Sequence, residues 1–420
     1  MTIQHLFPLA KPTLDLNFAA ERSLDPRITF SRSSIGTYID EDGILRTAAE
    51  DEPRFDYDPE TGESLGLLIE EFRTNELENS DLNGLTEYGC RTEDSTEVNP
   101  EGVASCRRII LDAGFSGEGH RITQRYADFF DETACSVFVK MDTHPYVLIG
   151  AGGQQRGYTA AFNIDPAFTG DRLLGQGGLS THTNIDAGYE SYPNGWFRIW
   201  ASGTTSGQDG WSLSISPDEN TFNITNWDAA GTEAIFAHGG QYEYAGFVTS
   251  YIPTNGAAAD RDADLGVASV SLTATTFSHV VKWDGPFLKG KRSIVYLDVN
   301  KKATKAALKV CEADIAPNRK IEAWMDTRYN SGANGGFPTV RMNFSDYKYA
   351  YHIASSFDST TGIFTLTDGD QTLNNSGKPE SNGIPFTRVV FGQDGFTGHI
   401  ARYAFYSQAL NNDQLEALTS

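Results

Sequence analysis

The stretch that decides the fold is Gly398-His-Ile-Ala-Arg-Tyr-Ala-Phe-Tyr-Ser407, near the end of a chain of 420 residues. Its large apolar residues Ile400, Tyr403 and Phe405 follow a period of two only in part, which predicts a bulged strand or a strand buried on both faces. Leu410 then leads into Asn411-Asn-Asp-Gln414, a predicted N-cap cluster, and Leu415 and Leu418 share one face of a short helix. A last strand followed by a short helix predicts a closing element.

The composition of the whole chain predicts an all-β protein of two or three domains, because 420 residues exceed one ordinary core. The 41 glycines and 12% aromatic residues are more than helical proteins usually carry, and no long window keeps helical apolar spacing. The chain has no apolar run long enough to span a bilayer, and its first residues lack a secretory signal. We therefore expect a protein made in a cytoplasm, without membrane insertion.

The charge distribution argues against nucleic acid as a partner. The formal net charge is -23, whereas a phosphate-binding surface needs a basic stripe. Residues 1 to 80 hold 17 acidic and 7 basic side chains, a net of -10. That segment is either a solvated, solubilising surface or a docking face for a basic partner or for cations.

The four cysteines lack the CxxC spacing of a zinc site. They are predicted to be buried free thiols, with a Cys90 to Cys106 bridge as the alternative. The cysteines are Cys90, Cys106, Cys135 and Cys311.

Turn chemistry divides the chain into a segment and two sandwiches. In residues 1 to 80, Asp40-Glu-Asp-Gly43 between β-prone runs predicts a hairpin, and Pro59 with Gly62 predicts a second turn. This β-rich segment is followed by a predicted first jelly roll at 81 to 265, a linker at 266 to 279 and a second sandwich at 280 to 420. The fold class is therefore all-β, with two antiparallel β-sandwiches and an N-terminal β-rich segment.

The run Trp196-Phe-Arg-Ile-Trp200 carries apolar or aromatic weight on both of its faces. Trp196, Arg198 and Trp200 share one face, and Phe197 and Ile199 share the other. Because one sandwich face buries only one side of a strand, we expect the second face to be covered by symmetric packing in a homo-oligomer, with a trimer as the first choice.

Several strings in this sequence resemble a module that recurs in bacteriophage tail and head-fibre proteins. They are Phe30-Ser-Arg-Ser-Ser-Ile-Gly-Thr-Tyr38, Pro53-Arg-Phe-Asp-Tyr-Asp-Pro59, Gly66-Leu-Leu-Ile-Glu-Glu-Phe-Arg-Thr-Asn75, Thr249-Ser-Tyr-Ile-Pro-Thr254 and Ala259-Asp-Arg-Asp-Ala-Asp264. The closing element also resembles the end of laminin-G-like, concanavalin-type jelly rolls.

The resemblance implies a virion structural protein with carbohydrate-binding-like and laminin-G-like sandwiches. It predicts a tail or capsid fibre that attaches to the host through surface glycans, with other virion proteins as partners. The concentrated charge of residues 1 to 80, and their short strands that could not build an independent core, predict that this segment is the virion-docking part. The alternatives are a capsid decoration protein without a ligand and, from another class, a polysaccharide-degrading enzyme.

Catalytic motifs are missing from the sequence, so we predict that the protein is not an enzyme. Retaining glucanases of the concanavalin type carry a Glu-x-Asp-x-x-Glu strand, and the nearest string here, Glu312-Ala-Asp314, reaches Pro317 where the second Glu should stand. The chain has no Gly-x-Ser-x-Gly elbow, and its histidines are scattered singly.

Two kinds of binding site are predicted. Hard oxygen ligands suit calcium, the one candidate cofactor, and Asp260, Asp262 and Asp264 would lie on one face of a strand, where like charges repel unless a cation or an Arg neutralises them. A plain solvent face is the alternative. Glycan binding needs exposed aromatic rings, and Trp324, Tyr329 and Tyr347 in the second sandwich are the candidates, with burial in the core as the alternative.

Overall fold

The computed structural model describes residues 11–419, apart from several short internal stretches. These are 116–118, 130–131, 154–155, 179–184, 205–206, 223–226, 275, 285–290, 300–301, 313–318, 326–338, 345–349, 359, 362, 369, 377–383 and 393–394. Between residues 298 and 351 it describes only the backbone. Within these described ranges, strands dominate and no helix is long and apolar enough to cross a membrane.

Residues 11 to 75 form short strands and one helical turn, α1 (Phe18–Glu21), capped by the Asn17 side chain at its start. The strands are β1 (Leu14–Leu16), β2 (Ile28–Ser31), β3 (Gly36–Ile39), β4 (Leu45–Ala48), β5 (Arg54–Tyr57), β6 (Ser64–Ile69) and β7 (Arg73–Asn75). The acidic turn after Ile39 joins β3 and β4 as a hairpin, and the Pro59 to Gly62 turn joins β5 and β6, as predicted.

The first sandwich consists of two six-stranded antiparallel sheets around one apolar core. Its strands are β8 (Thr86–Tyr88), β9 (Cys90–Val98), β10 (Ala104–Leu111), β11 (Arg121–Phe129), β12 (Glu132–Met141), β13 (Tyr146–Gly153), β14 (Arg156–Asn163), β15 (Leu173–Gly178), β16 (Asp186–Ser191), β17 (Trp196–Thr204), β18 (Gly207–Ile215) and β19 (Ala234–Glu243). The orders are β16-β17-β12-β19-β10-β9 and β15-β14-β13-β18-β11-β8.

The second sandwich uses the later strands and the closing helix α2 (Asn412–Thr419). The strands are β20 (Ala259–Arg261), β21 (Leu265–Ala274), β22 (Phe277–Asp284), β23 (Lys291–Val299), β24 (Lys302–Glu312), β25 (Arg319–Met325), β26 (Thr339–Phe344), β27 (Ala350–Asp358), β28 (Ile363–Thr367), β29 (Thr372–Ser376), β30 (Ile384–Phe391) and β31 (Gly398–Tyr406). The sheet orders are β29-β28-β27-β22-β31-β6-β5, with β1 also on β31, and β2-β21-β30-β23-β24-β25-β26.

The N-terminal strands β1, β2, β5 and β6 are part of the second sandwich. Strands β1 and β6 both pair with β31, and β2 pairs with β21. Leu14, Leu67 and Ile69 are buried in the same core as residues of β22 and β31. The predicted boundary at residue 80 therefore does not separate a structural unit, because the first segment supplies strands and core side chains to the last one.

The stretch predicted as a linker, 266 to 279, is also part of this sandwich. Its first nine residues belong to β21, which lies between β2 and β30 in the sheet, and Phe277 begins β22 with a fully buried ring. The small, uncharged side chains that favoured a linker are equally suited to an interior strand.

The first sandwich is inserted between β7 and β20, which form a separate two-stranded sheet. The chain leaves at β7 and returns at β20, and these two strands pair directly, with Asn75 opposite Ala259. The Asn75 side chain is fully buried, donates to the carbonyl oxygens of Gly240 and Ile252 and accepts from the Tyr242 amide. It thereby fixes the point where the insertion begins.

Both faces of β17 are covered within one chain. Phe197 and Ile199 lie in the first core, while Trp196 packs on the outer face with Ile39 and Leu45 of the β3–β4 hairpin. The Trp196 indole donates to the Val98 carbonyl oxygen at 2.8 Å. The apolar residues on both faces of β17 are therefore explained without a second subunit. They no longer support a trimer, which stays a prediction.

The closing element forms as predicted. Strand β31 is buried on both faces, with Phe405 in the core and Tyr406 against α2, and its register with β22 shifts between Lys282 and Trp283. The Asn411 side chain accepts from the Gln414 amide at 2.9 Å, and the Gln414 side chain accepts from the Asn411 amide at 3.0 Å. These two reciprocal bonds form a capping box.

The described cysteines are reduced and buried, as predicted. Cys90, Cys106 and Cys135 are free thiols, so no bridge joins Cys90 to Cys106. Burial raises the pKa of the Cys90 thiol to about 12, which keeps it protonated and unreactive at neutral pH. The side chain of Cys311 lies outside the described residues.

Candidate functional site

The strings that resemble the phage module meet in space at the junction of the two sandwiches. Each contributes one or more buried polar side chains, although the strings lie up to about 230 residues apart in sequence. The buried side chains are Arg32, Arg54, Glu70, Arg261 and Asp264, and the partly buried Arg73 and Ser250 join them; we call these seven side chains the junction network.

Asp264 is the centre of the junction network. Its side chain is fully buried, Arg32 donates to Oδ1 at 3.0 Å, and Arg54 donates to Oδ2. The Glu70 amide also donates to Oδ2, at 2.9 Å. One carboxylate therefore binds two cationic side chains and one backbone group, all from the N-terminal segment.

Glu70 is the second buried anion. Its carboxylate lies 2.7 Å from Arg54 and 3.2 Å from Arg261, and it accepts from the Ser250 amide and hydroxyl at 2.7 and 2.6 Å. Ser250 belongs to the segment that leaves the first sandwich. Glu70 thus ties this segment to the N-terminal strands.

Arg73 and Glu243 extend these contacts into the first sandwich. The Arg73 guanidinium lies 2.8 Å from Glu71, 3.6 Å from Glu243 and over the Phe247 ring at 4.4 Å. Glu243 is fully buried and accepts from the amide and hydroxyl of Thr249. The network therefore reaches the last strand of the inserted sandwich.

The charges of the junction network stabilise one another. Burial alone would raise the pKa of Glu70, but the cations of Arg261 and Arg54 outweigh it and hold that pKa well below its usual range. Burial lowers the pKa of Arg54, yet Asp264 and Glu70 more than reverse this effect. Glu70 is therefore ionised at neutral pH, and both Glu70 and Asp264 are paired with arginines.

This arrangement has no group poised for proton transfer. A general acid needs a raised pKa and an open path to substrate, whereas the pKa of Glu70 is held low and both Glu70 and Asp264 are buried and paired with arginines. Paired charges in a dry interior instead fix geometry, because loss of one partner leaves the other without compensation. The network is suited to holding two sandwiches in one orientation.

The predicted calcium ligands are not brought together. Asp264 is neutralised by two arginines, Asp260 lies in β20 and accepts from the Thr74 hydroxyl at 2.7 Å, and Asp262 follows the end of that strand. Within the described ranges, no group of three or more His, Cys, Asp or Glu side chains is placed to hold a metal ion. The sequence predicted that either a cation or an Arg would neutralise the three aspartates, and for Asp264 the neutralising groups are arginines.

The predicted glycan-binding side chains lie outside the described residues. Only the backbone of Trp324 is described, and it lies in β25 opposite Thr339. The 326–338 stretch, which contains Tyr329, connects this end of β25 to β26. The 345–349 stretch with Tyr347 begins after Phe344, which pairs with Arg319 at the other end of this hairpin. The register therefore places the starting points of these two connections at opposite ends of β25, and ligand binding by the three residues stays a prediction.

Sequence reasoning missed the junction network. The strings were recognised, but a single sequence does not reveal that Arg32 and Asp264 meet. One signal was available in the sequence. Charged residues recur inside β-prone strings, at Arg32, Arg54 and Glu70, and the strands of a sandwich do not need charged residues at such positions.

Comparisons with known proteins add a set of distant structural likenesses. No protein-family model and no curated protein matches the chain. A heptameric SAP-like pentraxin from Limulus polyphemus has 11% identity and a TM-score of 0.29, covering 36% of this chain and 72% of the pentraxin. The CBM40 module of the Ruminococcus gnavus IT-sialidase has 12% identity and a TM-score of 0.27, covering 36% and 93%.

Mouse laminin alpha1 domains LG4-5 have 8% identity and a TM-score of 0.21, covering 70% of this chain and 89% of the laminin fragment. Values of this size do not assign the chain to any of these families.

Proposed function

We propose that this chain is a non-catalytic structural protein of a bacteriophage virion, part of a tail or capsid fibre, and that it binds glycans on the host surface. The virion is its proposed location, and other virion proteins are its proposed partners. The strings that resemble the phage module support this role, because their charged residues form the junction network between the two sandwiches.

The observation that carries this proposal is the junction network. The recognisable strings supply buried, mutually neutralised charges at the seam between two sandwiches, with Arg32, Arg54 and Asp264 at its centre. Selection for such a seam is expected in a protein that must keep its modules in a fixed orientation on a particle. A ligand site would instead place its polar side chains where a ligand can reach them.

Two findings favour a structural role over an enzyme. The buried carboxylates Glu70 and Asp264 are paired with arginines, and the pKa of Glu70 is held low, which opposes acid–base chemistry at the seam. The chain also shows none of the catalytic strings of concanavalin-type hydrolases. Host polysaccharide incubated with the protein is expected to keep its chain length.

The experiment that tests the structural role uses purified particles. Mass spectrometry should find the chain in particles after banding, and a density map should show both sandwiches joined in the orientation described here. Particles that are complete and infective without the chain would contradict the proposal. A map in which broad faces of both sandwiches lie flat on the capsid would favour the decoration alternative.

The oligomeric state requires a separate measurement. The edges of the sheets remain the reason to propose a trimer, and β9 is an exposed edge strand nine residues long. Sedimentation at micromolar concentration should show an assembly, and a single species of 46.0 kDa would contradict the trimer.

Glycan binding by the second sandwich is tested with a variant of the predicted rings. Replacing Trp324, Tyr329 and Tyr347 together by Ala should weaken attachment to host cells by roughly tenfold or more if each ring contributes about 0.5 to 1.5 kcal/mol. An unchanged melting temperature is required, because unfolding would identify these rings as core.

A further inference from the structure

Two histidine rings contact the Trp227 ring in the first sandwich. The centroids of the His120 and Trp227 rings lie 5.2 Å apart with an interplanar angle of 71°, and the His144 ring stacks on Trp227 at 6.1 Å and 29°. The Phe115 ring packs on His120 at 5.5 Å. Trp227 itself packs against the core of this sandwich. These rings tie residues 227–233, the segment that leads into β19, to the body of the sandwich.

The His120 ring differs from its neighbours because both of its nitrogens face backbone carbonyl oxygens. Nδ1 lies 2.6 Å from the Gly89 oxygen, and Nε2 lies 3.0 Å from the Trp227 oxygen. His120 is 1% exposed, so water has little access to either nitrogen. A carbonyl oxygen can only accept a hydrogen bond, so each of these two contacts requires a proton on the ring nitrogen.

A neutral imidazole cannot satisfy both carbonyl groups. It carries one N–H, so its other nitrogen would direct a lone pair at an oxygen that also offers only lone pairs. An imidazolium carries two N–H groups and donates to both oxygens. Its charge would also lie close to the rings of Trp227 and Phe115, and the π system of an aromatic ring attracts a cation within about 6 Å of its centroid. The surroundings of His120 therefore favour the protonated ring.

His144 provides an internal comparison. Its Nε2 donates to the Ser216 carbonyl oxygen at 2.7 Å, which a neutral ring with one N–H can do. Burial lowers the pKa of His144, so the neutral form is the one present at neutral pH. Among the described residues, His120 thus has two carbonyl partners and His144 has one, and only His120 needs a second proton.

Acids near His120 have other partners. Glu87 accepts from the amide and hydroxyl of Thr92, and the Asp112 carboxylate lies 3.3 Å from Arg91. The other titratable side chains on the elements around the cluster are Tyr88, Cys90, Arg121, Asp142, His144, Tyr146, Asp218, Glu219, Asp228 and Glu233. Within the described ranges, none of these is hydrogen-bonded to the His120 ring. The two carbonyl oxygens are therefore the groups that distinguish the protonated ring from the neutral one.

We propose that His120 is a pH-sensitive latch on residues 227–233. As an imidazolium it donates to Gly89 and Trp227 together and holds the two chain segments against each other. When the ring loses one proton, the shorter contact, from Nδ1 to Gly89, keeps the remaining proton and the Trp227 carbonyl oxygen is released. The segment is therefore held at low pH and loosened as the pH rises. This inference is independent of the proposed virion role and of glycan binding.

Nitrogen-15 NMR of the histidine rings in the full-length chain is the first test, because it distinguishes a protonated ring nitrogen from an unprotonated one. The series covers the range of about pH 5 to 8 in which histidines titrate. We expect His120 to hold a proton on both nitrogens at the acid end and to lose the Nε2 proton as the pH rises. The His120 signal is the one that disappears in His120→Gln. A His120 ring with one unprotonated nitrogen at every pH would overturn the inference.

Hydrogen exchange measured by mass spectrometry is the second test and needs no variant. The amides of residues 230–232 donate to the Glu233 carboxylate and report on the segment. After correction for the intrinsic effect of pH, their exchange should become roughly tenfold faster or more across the same pH range, which corresponds to the loss of one hydrogen bond to a charged group. Corrected exchange that stays level would overturn the inference.

Variants identify the ring that responds. His120→Gln removes the titrating group and should abolish the pH dependence of exchange in residues 227–233. His352→Gln, a half-buried histidine of the other sandwich, is the control and should leave that dependence unchanged. A pH response that survives His120→Gln, or one that His144→Gln removes while His120→Gln keeps it, would overturn the latch. If His120→Gln does not fold, the exchange profile of the parent chain still decides the question.

Discussion

The Arg32 guanidinium lies 3.0 Å from the Asp264 carboxylate, and neither side chain is exposed to solvent. The two residues are 232 positions apart, and the whole first sandwich lies between them in the chain. This buried pair forms only when the chain that follows the insertion has returned to the N-terminal strands. The pair therefore holds the end of the inserted segment against the strands that precede it.

Replacing Asp264 by Asn should destabilise the protein strongly. The change leaves Arg32 and Arg54 buried beside a neutral group, and breaking a buried pair in this way costs about 3 to 5 kcal/mol. Denaturant unfolding followed by circular dichroism measures the loss. Asp260→Asn is the matched control, because Asp260 is exposed and a surface change there should alter stability by less than about 0.5 kcal/mol.

Removing residues 1 to 80 should unfold the second sandwich. The deletion takes β1, β2, β5 and β6 from its sheets and leaves β31 without its partner β6. The fragment 81–420 is expected to be insoluble or to show a non-cooperative thermal transition. A soluble fragment with a sharp transition would mean that the remaining strands close the sandwich alone, and would restore the idea of a separable docking segment.

A single substitution tests the same dependence with less damage. Leu67→Ala removes a fully buried side chain of β6 and should cost about 2 to 5 kcal/mol in the second sandwich. The exposed Val103→Ala is the control and should change stability little. Equal effects of the two variants would contradict the assignment of β6 to that core.

Local sequence patterns predicted several of the strands correctly, but they did not show which strands pair. Period-two patterns, turn residues and the Asn411 cap are local, and β3–β4, β31 and α2 form where they predict. The pairing of β2 with β21 is a contact over more than 230 residues and has no local signature. The same limit explains why the 266 to 279 stretch was assigned to a linker.

The candidate sites were predicted less well for a related reason. Acidic residues that alternate in sequence suggested a cation, whereas the partner of Asp264 comes from distant Arg32 and Arg54. The surroundings of a surface ring such as Tyr244 likewise depend on neighbours that the fold brings to it, here the ring of Tyr242. The sequence shows which types of side chain are present, but it does not show which of them lie together in the folded chain.

The close approach of β6 to β31 should make Gly66 intolerant of a side chain. Gly66 has φ +99°, and an added Cβ would lie 2.5 Å from the Ile400 carbonyl oxygen. Gly84 also has a positive φ, +73°, but an added Cβ meets nothing within 4 Å. Both Ala variants should carry the backbone cost of about 1 to 2 kcal/mol, and Gly66→Ala should lose about 1 to 3 kcal/mol more from the clash. Equal melting temperatures for the two variants would show that the strands separate freely at this point.

Acid should weaken the second sandwich through His279, whose side chain lies in the core between Ser355 and Phe405. Burial lowers the pKa of His279 from 6.5 to about 4, so the unfolded chain binds a proton at a higher pH than the folded chain. Stability from this residue is complete above pH 6.5 and falls as the pH drops towards 4, by about 3 kcal/mol at about 1.4 kcal/mol for each pH unit.

Urea unfolding at a series of pH values between 7 and 4 measures this loss, and His279→Leu should flatten the curve by most of that amount. His352 is the graded control, because it is only half-buried and its pKa is lowered less completely by burial and by Lys282. His352→Gln should therefore reduce the slope by a smaller amount. A parent curve that stays level down to pH 4, or a His279→Leu curve as steep as the parent's, would show that another group controls the acid response.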